Sequence, residues 1–100
     1  MNININSYGT THILAPQGKI DTNTSPELKY AIDTLPESAK ELILDFTDVD
    51  YISSAGLRVL VQAQNKMESK GGSIKITNVN QIVDEIFEIT GFGDLLPIEK

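Results

Sequence analysis

The chain has 100 residues, is 40% hydrophobic and 22% charged, and carries a formal net charge of -6 with no cysteine. These totals suit one small core, exclude disulfides and cysteine metal sites, and argue against a nucleic-acid partner, because phosphate binding is driven by Lys and Arg. No apolar run approaches the roughly 20 residues of a membrane span, and no basic-then-apolar leader opens the chain. A cytoplasmic protein with no membrane partner, forming a single domain over residues 1–100, is expected.

Ile3 and Ile5 alternate with Asn2, Asn4 and Asn6 in the period of a half-buried edge strand. Ser7 to Thr10 reads as a turn, and His12 to Ala15 as the second arm of an antiparallel hairpin. Pro16 and Gly18 end it, and Lys19-Ile20-Asp21 runs into a polar loop. Pro26 suits a first helical turn, Thr24 with Glu27 spells a capping box, and Ser25 is the competing cap. Leu28, Ala31, Ile32 and Leu35 then share a helix face that Pro36 stops.

Glu41 to Phe46 is nearly continuous in apolar residues through its middle, which predicts a central strand covered by helices on both faces. Asp48 to Leu60, DVDYISSAGLRVL, reads as a strand, a short loop and the start of a helix. The inner face of that helix is Leu57, Leu60, Val61, Gln64 and Met67, and its end lies at Gly71-Gly72. Tyr51 joins Ile52, Leu57, Leu60 and Val61 as a core anchor of this junction. Ser73 to Thr77 alternates as a further strand. Asn78 or Asn80 caps a last helix whose inner face is Ile82, Val83, Ile86, Phe87 and Ile89, closed by Gly91. Leu95, Leu96 and Ile98 in the tail to Lys100 are available to cover the core edge. The order β-β-α-β-α-β-α predicts an α/β fold: a small mixed β-sheet faced by three or four helices, with parallel pairing behind the hairpin.

Little self-contained chemistry is present. His12, the sole histidine, sits within a predicted strand and reads as structural, so no hydrolytic triad forms. Asp45, Asp48 and Asp50 lack the spacing of a calcium loop and read as turn residues. No phosphate-binding glycine loop appears. No enzyme, no cofactor and no metal are expected. Ser53 and Ser54 remain. One of them suits an N-cap; two exceed what capping needs, and a hydroxyl at a helix start is well placed for a phosphate. Gly56 in the first turn, where glycine costs up to about 1 kcal/mol against alanine, is read as a bare outward surface for another protein.

The stretch YISSAGLRVL, Tyr51 to Leu60, resembles the phosphorylation-site signature of bacterial anti-sigma factor antagonists, the stand-alone STAS domain proteins. Gly18 to Asp21 and Thr90-Gly91-Phe92 are similar to two further segments of that family, and the likeness spans essentially the whole chain. The resemblance implies a STAS fold and a partner-switching regulator. In that family the unphosphorylated antagonist binds an anti-sigma factor serine kinase and releases sigma factor. Phosphorylation by the kinase breaks the complex, and a PP2C-type phosphatase resets it. By position the acceptor is Ser54, with Ser53 as rival, because many members have aspartate at position 53 and a second hydroxyl at position 55. Asp21, Ser53, Ala55, Gly56 and Arg58 are implied as the partner-binding surface, Asp21 near the acceptor, on a protein that is a monomer when free. With Asp48 and Asp50 nearby, a phosphate would meet an acidic surround. A rival reading is an unphosphorylated STAS accessory subunit regulating a membrane lipid transporter ATPase.

Overall fold

The computed structural model describes residues 1–99, so Lys100 of the expected tail lies outside the described residues. Four strands form the main sheet: β1 (Ile3–Tyr8), β2 (Thr11–Pro16), β4 (Glu41–Asp45) and β6 (Ser73–Thr77), in spatial order β1-β2-β4-β6. β1 and β2 are the expected antiparallel hairpin, tight at Gly9-Thr10, where Gly9 takes φ 63°. β2, β4 and β6 pair in parallel. Three helices complete the chain, α1 (Ser25–Asp33), α2 (Ser54–Ser69) and α3 (Gln81–Thr90), and a 3-10 turn follows at Phe92–Asp94.

β4 does lie at the sheet centre, but burial along it alternates. Leu42 and Leu44 are fully buried, while Ile43 between them is only half-buried. One sheet face is therefore the core face and the other stays half-open, which corrects the expected two-sided cover. An apolar side chain at each central position does not distinguish the two cases. Leu14, Leu42, Leu44 and Ile76 from the strands meet Leu28, Ile32, Leu57, Leu60 and Met67 from α1 and α2 in a single core.

β3 (Gly18–Ile20) and β5 (Val49–Ile52) pair in parallel as a separate two-stranded sheet. β5 is the strand expected ahead of the serine pair; β3, expected only to run into a polar loop, is too short to show a period, and together they carry the chain into the helix starts of α1 and α2.

The capping box at α1 does not form. Thr24 is the N-cap residue, but it is already in the helical region, with φ -99° and ψ -22°, and its side chain makes no cap. Its hydroxyl instead donates to the Lys19 carbonyl at 2.6 Å and accepts from the Asp21 amide at 2.9 Å. Glu27 turns to the Met1 amino group, 2.8 Å away. Ser25 is the first helical residue and is buried.

α2 ends as expected, with Gly71 at φ 72° after the Lys70 C-cap. Its inner face also takes in Gly56, Val59 and Ala63, while Val61 and Gln64 are half-buried. On α3 only Val83 and Phe87 are fully inside and Ile86 is half-buried. Ile82 and Ile89 are 60% and 85% exposed, contrary to expectation. The helix touches β5 and the C-terminal turn along a narrow strip, so its apolar stripe is wider than the surface available to cover it. Leu96 is buried and Ile98 bridges Ile76, but Leu95 is exposed.

Asn80, not Asn78, caps α3. Its Oδ1 accepts from the Val83 amide at 2.8 Å, and its Nδ2 donates to the Val49 carbonyl at 2.8 Å, tying the helix to β5. Asn80→Ala removes both bonds and is expected to lower stability by about 1–2 kcal/mol, read as a lower urea midpoint with an unchanged slope. An unmoved midpoint would show the cap to be idle.

Candidate functional site

The serine pair is held by the small sheet. Ile20 of β3 and Ile52 of β5 are register partners, and the Ser53 amide donates to the Ile20 carbonyl at 2.8 Å. Asp21 and Ser53 thus leave the paired strands side by side. Ser53 is the N-cap of α2 in extended geometry (φ -92°, ψ 176°), and its Oγ accepts a long 3.4 Å bond from the Gly56 amide. Its carbonyl accepts from the Leu57 amide at 2.9 Å. The amide, carbonyl and Oγ of Ser53 each take part in a hydrogen bond, and the residue is half-buried. Ser54, the first helical residue, is exposed, and its hydroxyl has no hydrogen-bond partner among the described residues. Two adjacent serines therefore play different parts: one fixes the helix start, the other presents a free hydroxyl.

Asp21 sits beside this start, as expected, but its carboxylate faces its own loop. Oδ1 accepts from the amides of Asn23 at 2.9 Å and Thr24 at 3.1 Å. The Thr24 amide, then the Asn23 amide, hold the carboxyl below its ordinary value of 3.8, because both bonds favour the ionised form. A carboxyl lowered in the folded state adds stability above its unfolded value, and that stability is lost as pH falls through the folded value. Asp21→Asn is therefore expected to flatten the acid limb of stability below about pH 4, measured by urea unfolding at stepped pH. An acid limb identical to that of the parent protein would count against this loop.

Gly56 corrects the sequence reading. It is buried, and a Cβ built there would lie 2.6 Å from Ile52 Cγ1, 2.7 Å from Ile20 Cγ2 and 3.1 Å from the Ile20 carbonyl oxygen. The glycine lets α2 sit directly on the small sheet, and offers no bare surface to a partner. Tyr51, expected in the core, is 43% exposed: β5 buries its two ends, Val49 and Ile52, and leaves Asp50 and Tyr51 between them outside. Asp48, just before β5, and Asp50, within it, are exposed. At about 3.3 Å per strand residue, Asp48 lies some 16 Å and Asp50 some 10 Å along the strand from Ser53, so salt, which screens exposed charges over roughly 8 Å, weakens the action of both. Asp21 is the acid that leaves its strand beside the serine pair.

Asp45 and the histidine are held within the fold. Burial pushes the Asp45 carboxyl up, but hydrogen bonds from Thr47 and Asn78 outweigh it and leave the group below its ordinary value. His12 is buried, with Nδ1 2.8 Å from the Ser7 hydroxyl. No group of three His, Cys, Asp or Glu residues suited to a metal occurs among the described residues. Among them, no helix is long and apolar enough to cross a membrane.

α1 and α2 leave a cleft of about 220 Å³ next to the serine pair, lined by Ser25, Pro26, Lys29, Ala55, Arg58 and Val59. Ala55 is half-buried there and Arg58 is exposed. Ser25 and Lys29 carry no local sequence signal for this role; helix packing alone brings them to Arg58. A second cleft of about 240 Å³ lies between α3 and the C-terminal turn, and its polar side chains are the acids Asp84, Glu88 and Asp94.

Comparison with known proteins agrees with this architecture. The STAS domain family profile matches residues 2–100, and the chain belongs to that family. It is 33% identical over 81 residues to a Bacillus subtilis protein named anti-sigma-B factor antagonist, covering 81% of this chain and 74% of that one. It is 31% identical over 104 residues to the anti-sigma-B factor antagonist of Listeria monocytogenes, covering 100% of this chain and 90% of that one. A crystal structure from Thermotoga maritima superposes with a TM-score of 0.88 at 19% identity, over 98% of this chain and 86% of that chain, a likeness of fold.

Proposed function

We propose that this chain is a cytoplasmic, non-enzymatic anti-sigma factor antagonist, switched by phosphorylation of Ser54. The observation that carries the reading is the split between the serines: Ser53 is spent on the helix cap, and the exposed Ser54 hydroxyl is free. Two relatives matching most of the chain, both named anti-sigma-B factor antagonists, support the same class.

In this reading the partner is an anti-sigma factor serine kinase, bound by the unphosphorylated form so that sigma factor is released. The Ser54 Oγ attacks the γ-phosphorus of ATP held by the kinase. The new P–O bond forms as the bond to the β,γ-bridging oxygen breaks, ADP leaves, and the hydroxyl proton passes to a base of the kinase. A PP2C-type phosphatase reverses the state by hydrolysis, returning inorganic phosphate and the serine. Phosphate adds about -1.5 to -2 charge at a helix start that tolerates anions, so the fold is kept while the surface beside Ala55, Arg58 and Asp21 changes sign.

Mass spectrometry of the protein isolated from its own cells tests the reading. A phosphopeptide with the modification on Ser54, lost on treatment with a PP2C-type phosphatase, is expected. A protein unmodified under all growth conditions and recovered with a membrane transporter ATPase would overturn it in favour of a docking subunit.

A further inference from the structure

Ser54 and Arg58 stand four residues apart on α2, which places them on the same helix face, one turn apart. Helical side chains lean towards the N-terminus, so the Arg58 guanidinium is carried back towards the Ser54 hydroxyl. Arg58 is the only arginine of the chain. It is exposed, and among the described residues it makes no hydrogen bond or ion pair. Lys29 and Lys66, the lysines between α1 and α2, are already engaged. Lys29 Nζ lies 2.7 Å from Asp33 Oδ2, and Lys66 Nζ lies 3.7 Å from Asp33 Oδ1. Asp21, beside the α2 start, has its carboxylate turned onto the Asn23 and Thr24 amides.

We infer that a phosphate on Ser54 is paired by Arg58 of the same helix, so that modification occupies the cationic group which the unmodified α1–α2 cleft offers to a partner. This rests on the reading of Ser54 as the modified residue and extends it from the site to the means of the switch. A guanidinium presents a planar fork of N–H donors that matches two phosphate oxygens at once, and a phosphate dianion attracts it more strongly than a carboxylate would. The unmodified surface shows a free cation beside a neutral hydroxyl. The modified surface shows an ion pair with surplus negative charge. Any carboxylate of the partner that Arg58 serves in the complex loses its counter-charge when the phosphate arrives.

The test installs phosphoserine at position 54 by genetic encoding, without any kinase, and follows the phosphate by ³¹P NMR across pH. Pairing favours the dianion and lowers a phosphate pKa that is ordinarily about 6. Arg58→Gln is expected to raise the proton affinity of the phosphate about threefold or more relative to the parent protein, and Arg58→Lys to recover part of that change. The amides of the α2 start act equally in all three proteins and cancel. Lys29→Gln is expected to leave the titration unmoved. Equal titrations for the parent and Arg58→Gln, or a change as large from Lys29→Gln, would overturn the pairing. Amide NMR of each variant confirms the fold; should Arg58→Gln not fold, the parent against Arg58→Lys decides. Because no kinase takes part, a protein found unmodified in cells would sink the reading of Ser54 while leaving this measurement intact.

Discussion

Ser54→Ala is expected to abolish phosphate uptake, by at least about 100-fold, and to leave the protein bound to its kinase whatever the ATP supply. The argument is one of accessibility. A kinase has to place the acceptor oxygen in line with the γ-phosphorus, which demands a hydroxyl free to turn and open to solvent. Ser54 meets both conditions. Ser53 meets neither: its amide is held by the Ile20 carbonyl, its Oγ by the Gly56 amide, and it is half-buried. Ser53→Ala should therefore still be phosphorylated, at a rate within a few-fold of the parent. It should lose only the cap, about 0.5–1 kcal/mol given the long 3.4 Å bond. Ser54→Asp should bind the kinase weakly, as a partial mimic of the phosphate charge. Intact-mass analysis after incubation with kinase and ATP, with calorimetric titration of the complex, separates the three. Phosphate on Ser54→Ala protein, carried by Ser53, would refute the assignment.

The sequence exposed some features of this fold better than others, and the division follows the range of the interactions. The hairpin turn, the Gly71 and Gly91 helix ends and the central place of Glu41–Asp45 depend on local backbone chemistry or on long apolar runs, and they are found where expected. The pairing of Gly18–Ile20 with Val49–Ile52 joins segments about 30 residues apart in the chain, and strands of three and four residues leave no period to detect. The capping box failed for a similar reason. Thr24 has the right residue type, but its hydroxyl is claimed by Lys19 and Asp21 in the loop before the helix. Within the candidate site, residue type and spacing marked the serine pair, and the resemblance alone put Ser54 ahead of Ser53. The different engagement of the two serines was not legible, because it depends on the Ile20 carbonyl. Ile82 and Ile89 fit a helical apolar period as well as Val83 and Phe87 do, and only the extent of the covering surface separates them.

Gly56 gives a prediction whose sign decides between two accounts of the junction. In an open first turn, Gly56→Ala would stabilise α2 by up to about 1 kcal/mol, since alanine is the better helix former. Here the added methyl would meet Ile52 Cγ1 at 2.6 Å and Ile20 Cγ2 at 2.7 Å, distances that real Cβ atoms do not sustain. Both isoleucines are fully or almost fully buried, so neither can swing into solvent to make room. The helix start must lift, and the bond from the Ser53 amide to the Ile20 carbonyl lengthens with it. Overpacking of this kind typically costs about 1–3 kcal/mol, more than the gain in propensity returns, so a net loss of about 1–2 kcal/mol is expected. The displacement also moves Ser54, and phosphorylation of Gly56→Ala protein should slow by an order of magnitude or more, because positioning errors near 1 Å at a transferring group cost about 100-fold. Urea unfolding and the initial rate of phosphate incorporation read the two effects separately. A stabilised Gly56→Ala protein with an unchanged rate would restore the view of Gly56 as an open patch.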